Sequence, residues 1–184
     1  TAPAMAAKYE QSASNFARVV SAHREIVSAY PSYKVARALK SLPARDIWRP
    51  MLKAFAYVDG WGDPPFLANR ITKKDMLAEP GVVFLVEDNS DLVVGVFLNP
   101  KTDAMYLGRL SVDPLRQGEG IGCRLFKGSV AAAKARKFAE IELQARIELT
   151  ENHTAFAALG LRETGRTAHD GYDRPTSVTM RCLL

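Results

Sequence analysis

The stretch Ser111–Phe126, SVDPLRQGEGIGCRLF, decides how this chain is read. Strand-forming residues from Tyr106 to Val112 lead into it and stop at Asp113-Pro114. A turn rich in glycine follows, Gln117-Gly118-Glu119-Gly120-Ile121-Gly122. Leu125, Phe126, Val130, Ala133 and Ala135 then recur in a sustained helical pattern. Strand, glycine loop and helix in this order form a cradle for a pyrophosphate. Glycine lets the backbone bend sharply and approach a ligand closely. The first N–H groups of the helix have no partner within it, and the helix dipole favours an anion there.

The spacing narrows the ligand. Glycines at 118, 120 and 122 do not make the G-x-G-x-x-G of a dinucleotide fold. Nor does an acidic residue clearly end a second strand about 20 residues on. Gly122-Cys123-Arg124 is not the Gly-Lys-Ser/Thr that closes a Walker A loop. A bare turn seldom needs three alternating glycines, because each costs backbone entropy. With the lead-in Leu110-Ser111-Val112-Asp113-Pro114, the loop resembles the acetyl-CoA loop of the GNAT N-acetyltransferase superfamily, whose pattern is Arg/Gln-x-x-Gly-x-Gly/Ala. A second motif, Leu149 to Leu161, resembles that family's closing helix, and the resemblance runs from about Tyr33 to the C-terminus. It implies an α/β fold: a mixed, mostly antiparallel central sheet of about seven strands flanked by helices. It leaves residues 1–31 as an N-terminal helical extension and 32–184 as the acetyl-CoA-dependent domain.

Composition agrees with a globular domain. The chain has 184 residues, of which 47% are hydrophobic, enough for a core, and 24% charged. Its net charge of +5 is spread, with no Lys/Arg block and no basic–aromatic interleave, so no nucleic-acid partner is expected. Cys123 and Cys182 are too few and too far apart for a disulfide framework or a metal site, and a reduced cytoplasm fits them best. No apolar run reaches the roughly 18 residues of a membrane-spanning helix, and the N-terminal TAPAMAA lacks the charged start and long apolar core of a signal peptide. Threonine at position 1 reads as a processed start or one set by cloning.

Tyr9, Ala13, Phe16, Val20, His23, Val27 and Tyr30 recur on one face of a helix over 8–30, which Pro31 ends. That stripe packs on the domain itself, or its heptad-like spacing makes a homodimer face. A strand over 33–39 and a helix over 44–58 follow. The loop 59–67, DGWGDPPFL, carries Trp61 and Phe66, which either line the acceptor pocket or plug the loop onto the core. After a short helix over 69–77 come strands over 82–87, 92–98 and 104–112, an antiparallel meander. The helix over 121–137 crosses to a strand over 139–145, and a crossover of that length implies a parallel neighbour. The loop at 117–122 then lies at the carboxyl end of a strand, where α/β sheets bind ligands.

In the second motif Thr150 is expected to cap the helix and Gly160 to end it in the left-handed conformation. The resemblance assigns the cofactor to Leu110, Ser111, Val112, Gln117, Gly118, Gly120, Ile121, Gly122, Asn152 and Phe156. Phe156 stands where many members carry a Tyr that protonates the departing thiolate, and phenylalanine has no O–H for that work. Tyr172 in the turn 169–176 is one replacement acid, and His169 is a proton shuttle or substrate contact. The candidate base is Glu142, whose side chain alternation sends either into the cleft or to the opposite face. Arg109 and Arg146 flank the cleft strands and suit an acidic acceptor. The implied activity moves an acetyl group from acetyl-CoA to a primary amine of a small molecule or peptide, by direct attack in a ternary complex and with no metal. The alternative is a catalytically silent acyl-CoA-binding module that acts through a partner or dimer.

Overall fold

The computed structural model describes residues 33–36, 51–56, 60, 62–65, 72, 74, 82–88 and 91–184, with 33–36, 82–88 and 91–94 as backbone only. The helix expected over 8–30, most of the one over 69–77, and Trp61 and Phe66 lie outside the described residues. Among the described residues seven strands form one sheet: β1 (Tyr33–Ala36), β2 (Val82–Asp88), β3 (Asp91–Pro100), β4 (Met105–Val112), β5 (Glu140–Arg146), β6 (Arg162–Thr167) and β7 (Ser177–Leu183). Their spatial order is β1-β2-β3-β4-β5-β7-β6. A helical segment α1 covers 51–55, α2 spans Ile121–Ala135 and α3 spans Thr150–Ala158.

Strands β1 to β4 pair antiparallel throughout, and for β2, β3 and β4 the short turns between successive strands require it. The crossover through α2 makes β4 and β5 parallel. The two strands are in register only at Met105↔Ile141 and Tyr106↔Glu142. β5 continues antiparallel to β7, and β7 to β6. The sheet thus has two arms joined by a two-residue seam, and beyond the seam β4 and β5 part.

The core explains why the arms hold together. The inward stripe of α2 is Ile121, Leu125, Phe126, Ala132 and Ala133, all buried. It packs with Val96 and Leu98 of β3, Met105 and Leu107 of β4, and Ile141 and Leu143 of β5. One amphipathic helix therefore covers both sides of the seam, with each large apolar side chain stabilising by about 1.5–3 kcal/mol. Ser129 is buried on the same helix and returns its hydroxyl to the Leu125 carbonyl at 2.8 Å, which satisfies its buried donor.

The end of α3 is built as the sequence suggests. Gly160 has φ 95°, and the N–H groups of Gly160 and Leu161 reach the carbonyls of Ala157 (3.0 Å) and Phe156 (3.1 Å). This is the paired closure of a left-handed helix stop, with Leu161 buried beneath it. The start differs from expectation. Leu149 holds the cap position without a side-chain bond, and Thr150 is the first helical residue. Its carbonyl accepts from the Thr154 hydroxyl at 3.1 Å.

Candidate functional site

β4 leaves the regular ladder just beyond the seam. Phe97 of β3 faces Gly108 and Gly95 faces Ser111, so Val96 alone opposes Arg109 and Leu110. One extra residue in β4 makes a bulge, which bends the strand and raises its twist. Arg109 absorbs the turn at φ 52°, a left-handed conformation that costs a non-glycine residue about 1–2 kcal/mol. Its guanidinium stacks 5.1 Å from the Phe97 ring centroid, and Ser111 ties the far side of the bulge to the Gly95 carbonyl at 3.2 Å. Gly108 within a strand pattern was the sequence sign of this bulge.

Beyond the bulge the strands enclose a cleft of about 160 Å³. Leu107, Arg109 and Leu110 of β4 form one wall, and Leu143, Gln144, Ala145 and Arg146 of β5 the other. Leu149, Asn152 and Phe156 close it from the α3 side, and Phe55 of α1 reaches in as well. Asn152 and Phe156 lie one helical turn apart on the same face, which brings an amide and a ring into the same space. No carboxylate, histidine or tyrosine is among the described residues that line the cleft.

From its cleft wall β4 runs directly into the glycine loop. Asp113 caps a short 3-10 turn, Pro114–Arg116, through a 2.9 Å bond from the Leu115 N–H, and Lys53 of α1 binds it at 2.8 Å. Lys53 and the Leu115 N–H hold the Asp113 carboxyl below the usual carboxylate range. The Gln117 side chain donates to the Val112 carbonyl at 3.4 Å. Gly118 and Gly120 have φ of 85° and 73°, and Gly120 caps α2 without a side-chain bond. Arg116 clasps Glu119 at 2.7 Å, and the Arg124 side chain donates to the Glu119 carbonyl at 2.9 Å. These contacts fix the loop from outside and leave the first N–H groups of α2 at Ile121 and Gly122 for a ligand.

Three expected residues stand elsewhere. Glu142 is 3% exposed and sits at the seam, opposite Tyr106, not in the cleft. Its carboxylate binds Lys101 and accepts from Arg181 Nε at 2.7 Å, so it is an ion-pair anchor and not a cleft base. Alternation left its direction open, and the two cations decide it. Tyr172 donates its hydroxyl to Asp63 Oδ1 at 2.7 Å, and Arg174 binds the same carboxylate at 2.5 Å. That bond raises the Tyr172 pKa and ties the turn 169–176 to residues 62–65. His169 is held within its own turn by Thr176, N–H to Oγ1 at 2.9 Å and Nδ1 to Oγ1 at 2.5 Å.

The sequence reading did not anticipate the group behind Arg146. Arg146 meets Glu148 through Nε (3.2 Å) and Nη2 (3.1 Å), and Glu148 accepts from the Asp63 N–H at 3.2 Å. The Arg146 hydrogen bond is the main cause that lowers Glu148 to a pKa of about 2. Asp63 is itself lowered by Tyr172 first and Arg174 second. Such pairing needs residues from three loops, which spacing in sequence does not reveal.

A family-level sequence profile described as an Acetyltransferase (GNAT) domain matches residues 63–180. The chain belongs to the GNAT acetyltransferase family. Solved structures agree on the fold. The ribosomal-protein-S18-alanine N-acetyltransferase of Escherichia coli is 17% identical with a TM-score of 0.64, covering 82% of this chain and 93% of that one. The PaiA N-acetyltransferase of Thermoplasma acidophilum, in complex with coenzyme A, is 12% identical with a TM-score of 0.66, covering 83% and 99%. A GNAT family acetyltransferase of Elizabethkingia anophelis with acetyl-CoA bound is 15% identical with a TM-score of 0.59, covering 83% and 99%. No curated protein matches the sequence. In this GNAT chain, as described, no helix is long and apolar enough to cross a membrane, and no metal-binding group of His, Cys, Asp and Glu occurs among the described residues.

Proposed function

We propose that this GNAT protein is an N-acetyltransferase that uses acetyl-CoA to acetylate a primary amine of a small molecule or peptide. The observation that carries the reading is the parted β4–β5 pair, whose cleft runs along the bulged strand into the glycine loop. The loop's own geometry fits the cofactor. A Cβ at Gly122 would meet only the Val112 side chain at 3.7 Å, an ordinary contact, so packing within the fold does not demand glycine there. Close approach of a phosphate does. The solved relatives that carry coenzyme A or acetyl-CoA support the same ligand.

Bound there, acetyl-CoA supplies an acyl group already activated as a thioester. The chain's residues divide the remaining work. The N–H groups at the start of α2 hold the pyrophosphate. The bulge bends β4 at Leu110, whose peptide group would bind the pantetheine arm and polarise a carbonyl. Asn152 offers an amide to the cofactor, and Phe156 packs at the reacting end of the cleft. An ammonium group is not a nucleophile, so its proton has to leave before attack, and water is the carrier that the described lining, which holds no base, leaves for it. The rate should then rise with pH up to the pKa of the acceptor amine itself.

The test mixes the protein with acetyl-CoA and a panel of amines and follows free thiol. Thiol release with at least one amine is expected. No release above background for any amine would count against the enzyme. Thermal stabilisation by acetyl-CoA without thiol release would instead mark a silent acyl-CoA-binding module.

A further inference from the structure

We propose that Arg146 selects acceptors that carry a carboxylate beside the amine, an inference that rests on the acetyltransferase reading and names its substrate class. Arg146 lines the cleft, and its side chain is 11% exposed. Glu148 engages only one edge of the guanidinium, Nε and Nη2. Among the described residues Nη1 has no acceptor. A guanidinium presents five donors, so the edge that Glu148 does not engage is left for a ligand. A planar carboxylate suits that edge better than any neutral group, because its two oxygens match the fork.

The surroundings favour the same ligand. Arg109 adds a second positive charge from the facing wall, and no carboxylate is among the described lining. The Arg146 fork is also held in place. Glu148, which grips it, is fixed in turn by the Asp63 N–H, and Asp63 by Tyr172 and Arg174. Gly62 seats this loop directly on the pair: a Cβ there would come 2.9 Å from Arg146 Nη2 and 3.3 Å from Glu148 Oε1. An arginine whose rotamer is set before binding loses little freedom on binding, so it can discriminate sharply. Arg146 is thus a specificity residue and Glu148 a positioning residue.

The experiment compares matched pairs in the full chain: an amino acid against its amide, and a short peptide with an acidic second residue against its amide counterpart. Binding in the presence of coenzyme A is measured by calorimetry, and turnover by thiol release. The acid member of at least one pair should bind about 10- to 100-fold tighter, the worth of one charge-assisted pair. Arg146→Met should erase that ratio, read as the KM of the acid acceptor relative to that of its amide. Arg146→Lys should restore part of it. The double variant Arg146→Gln, Glu148→Gln removes both charges together and repeats the test should the single variant unfold. Equal binding of acid and amide, or a ratio that survives Arg146→Met, overturns the proposal whatever the turnover. Acid-selective binding that depends on Arg146, with no thiol release from any amine, supports Arg146 and counts against the enzyme reading alone.

Discussion

Glu148 and Phe156 show what single residues carry. Glu148 has a folded pKa of about 2 against an ordinary 4.5, held there by Arg146. A depressed carboxyl stabilises the fold fully above its unfolded pKa and loses that contribution as pH falls through the folded value. Glu148→Gln should therefore lower stability at pH 7 by about 1–3 kcal/mol. The gap to the parent should close between pH 4.5 and about 2, which melts across that window would read. A constant gap at every pH would show that the charge is not what matters. Phe156 lines the cleft without a hydroxyl. Phe156→Tyr adds a proton donor where the motif invites one, and kcat should rise, by up to about 100-fold if the group reaches the leaving thiolate. An unchanged kcat with an unchanged melt would show that the thiolate leaves without help from that side. Phe156 and Asn152, which the resemblance assigns to the cofactor, line the cleft together because a helix fixes its own face. It misplaced Glu142 because period-two alternation says that a side chain turns over, not which side faces a ligand.

At the scale of elements, the strand–loop–helix unit was readable because each part has a local cause. Gly118 and Gly120 take positive φ, the stripe of α2 has one period, and Gly160 stops α3 in the conformation that glycine allows. Gly120 gives a clean test. Gly120→Ala and Gly120→Glu share the strain of a φ of 73°, about 1–2 kcal/mol, and both should melt earlier to a similar degree. Only the glutamate places a negative charge at the phosphate site. Stabilisation by acetyl-CoA should persist in part for alanine and vanish for glutamate; equal loss in both would remove the electrostatic reading. Gly108 marked where the ladder could break, but Arg109 as the residue that turns it was not legible, since arginine is no usual resident of left-handed backbone. The clasp of Asp63 by Tyr172 and Arg174 was hidden for another reason: its members stand 109 and 111 positions apart. Loops meet where the sheet puts their ends, and that is decided by the whole fold.

For the whole molecule, acetyl-CoA at 100 times its dissociation constant should add about 2.7 kcal/mol, a rise of about 5–10 °C for a chain of this size. The meander β2 to β4 and the parallel β4–β5 pair followed from turn lengths and one crossover, whereas the place of β7 between β5 and β6 did not. Nor did what holds the sheet at one end. Lys101 and Asp103 from the β3–β4 turn, Glu142 and Glu140 of β5, and Arg181 of β7 form one ionic group at the seam. Glu142→Gln should cost about 3 kcal/mol, the lower end for breaking a buried pair, since Lys101 and Arg181 both reach solvent. A second effect should appear far from the substitution. The seam works as the rivet of a pair of scissors, with charged residues at the handles and the coenzyme between the blades. Leu110 lies four residues up the blade from Tyr106, roughly 13 Å away. Play at the rivet becomes gape at the tips, so loosening Glu142 should weaken the grip on acetyl-CoA without touching one atom that holds it.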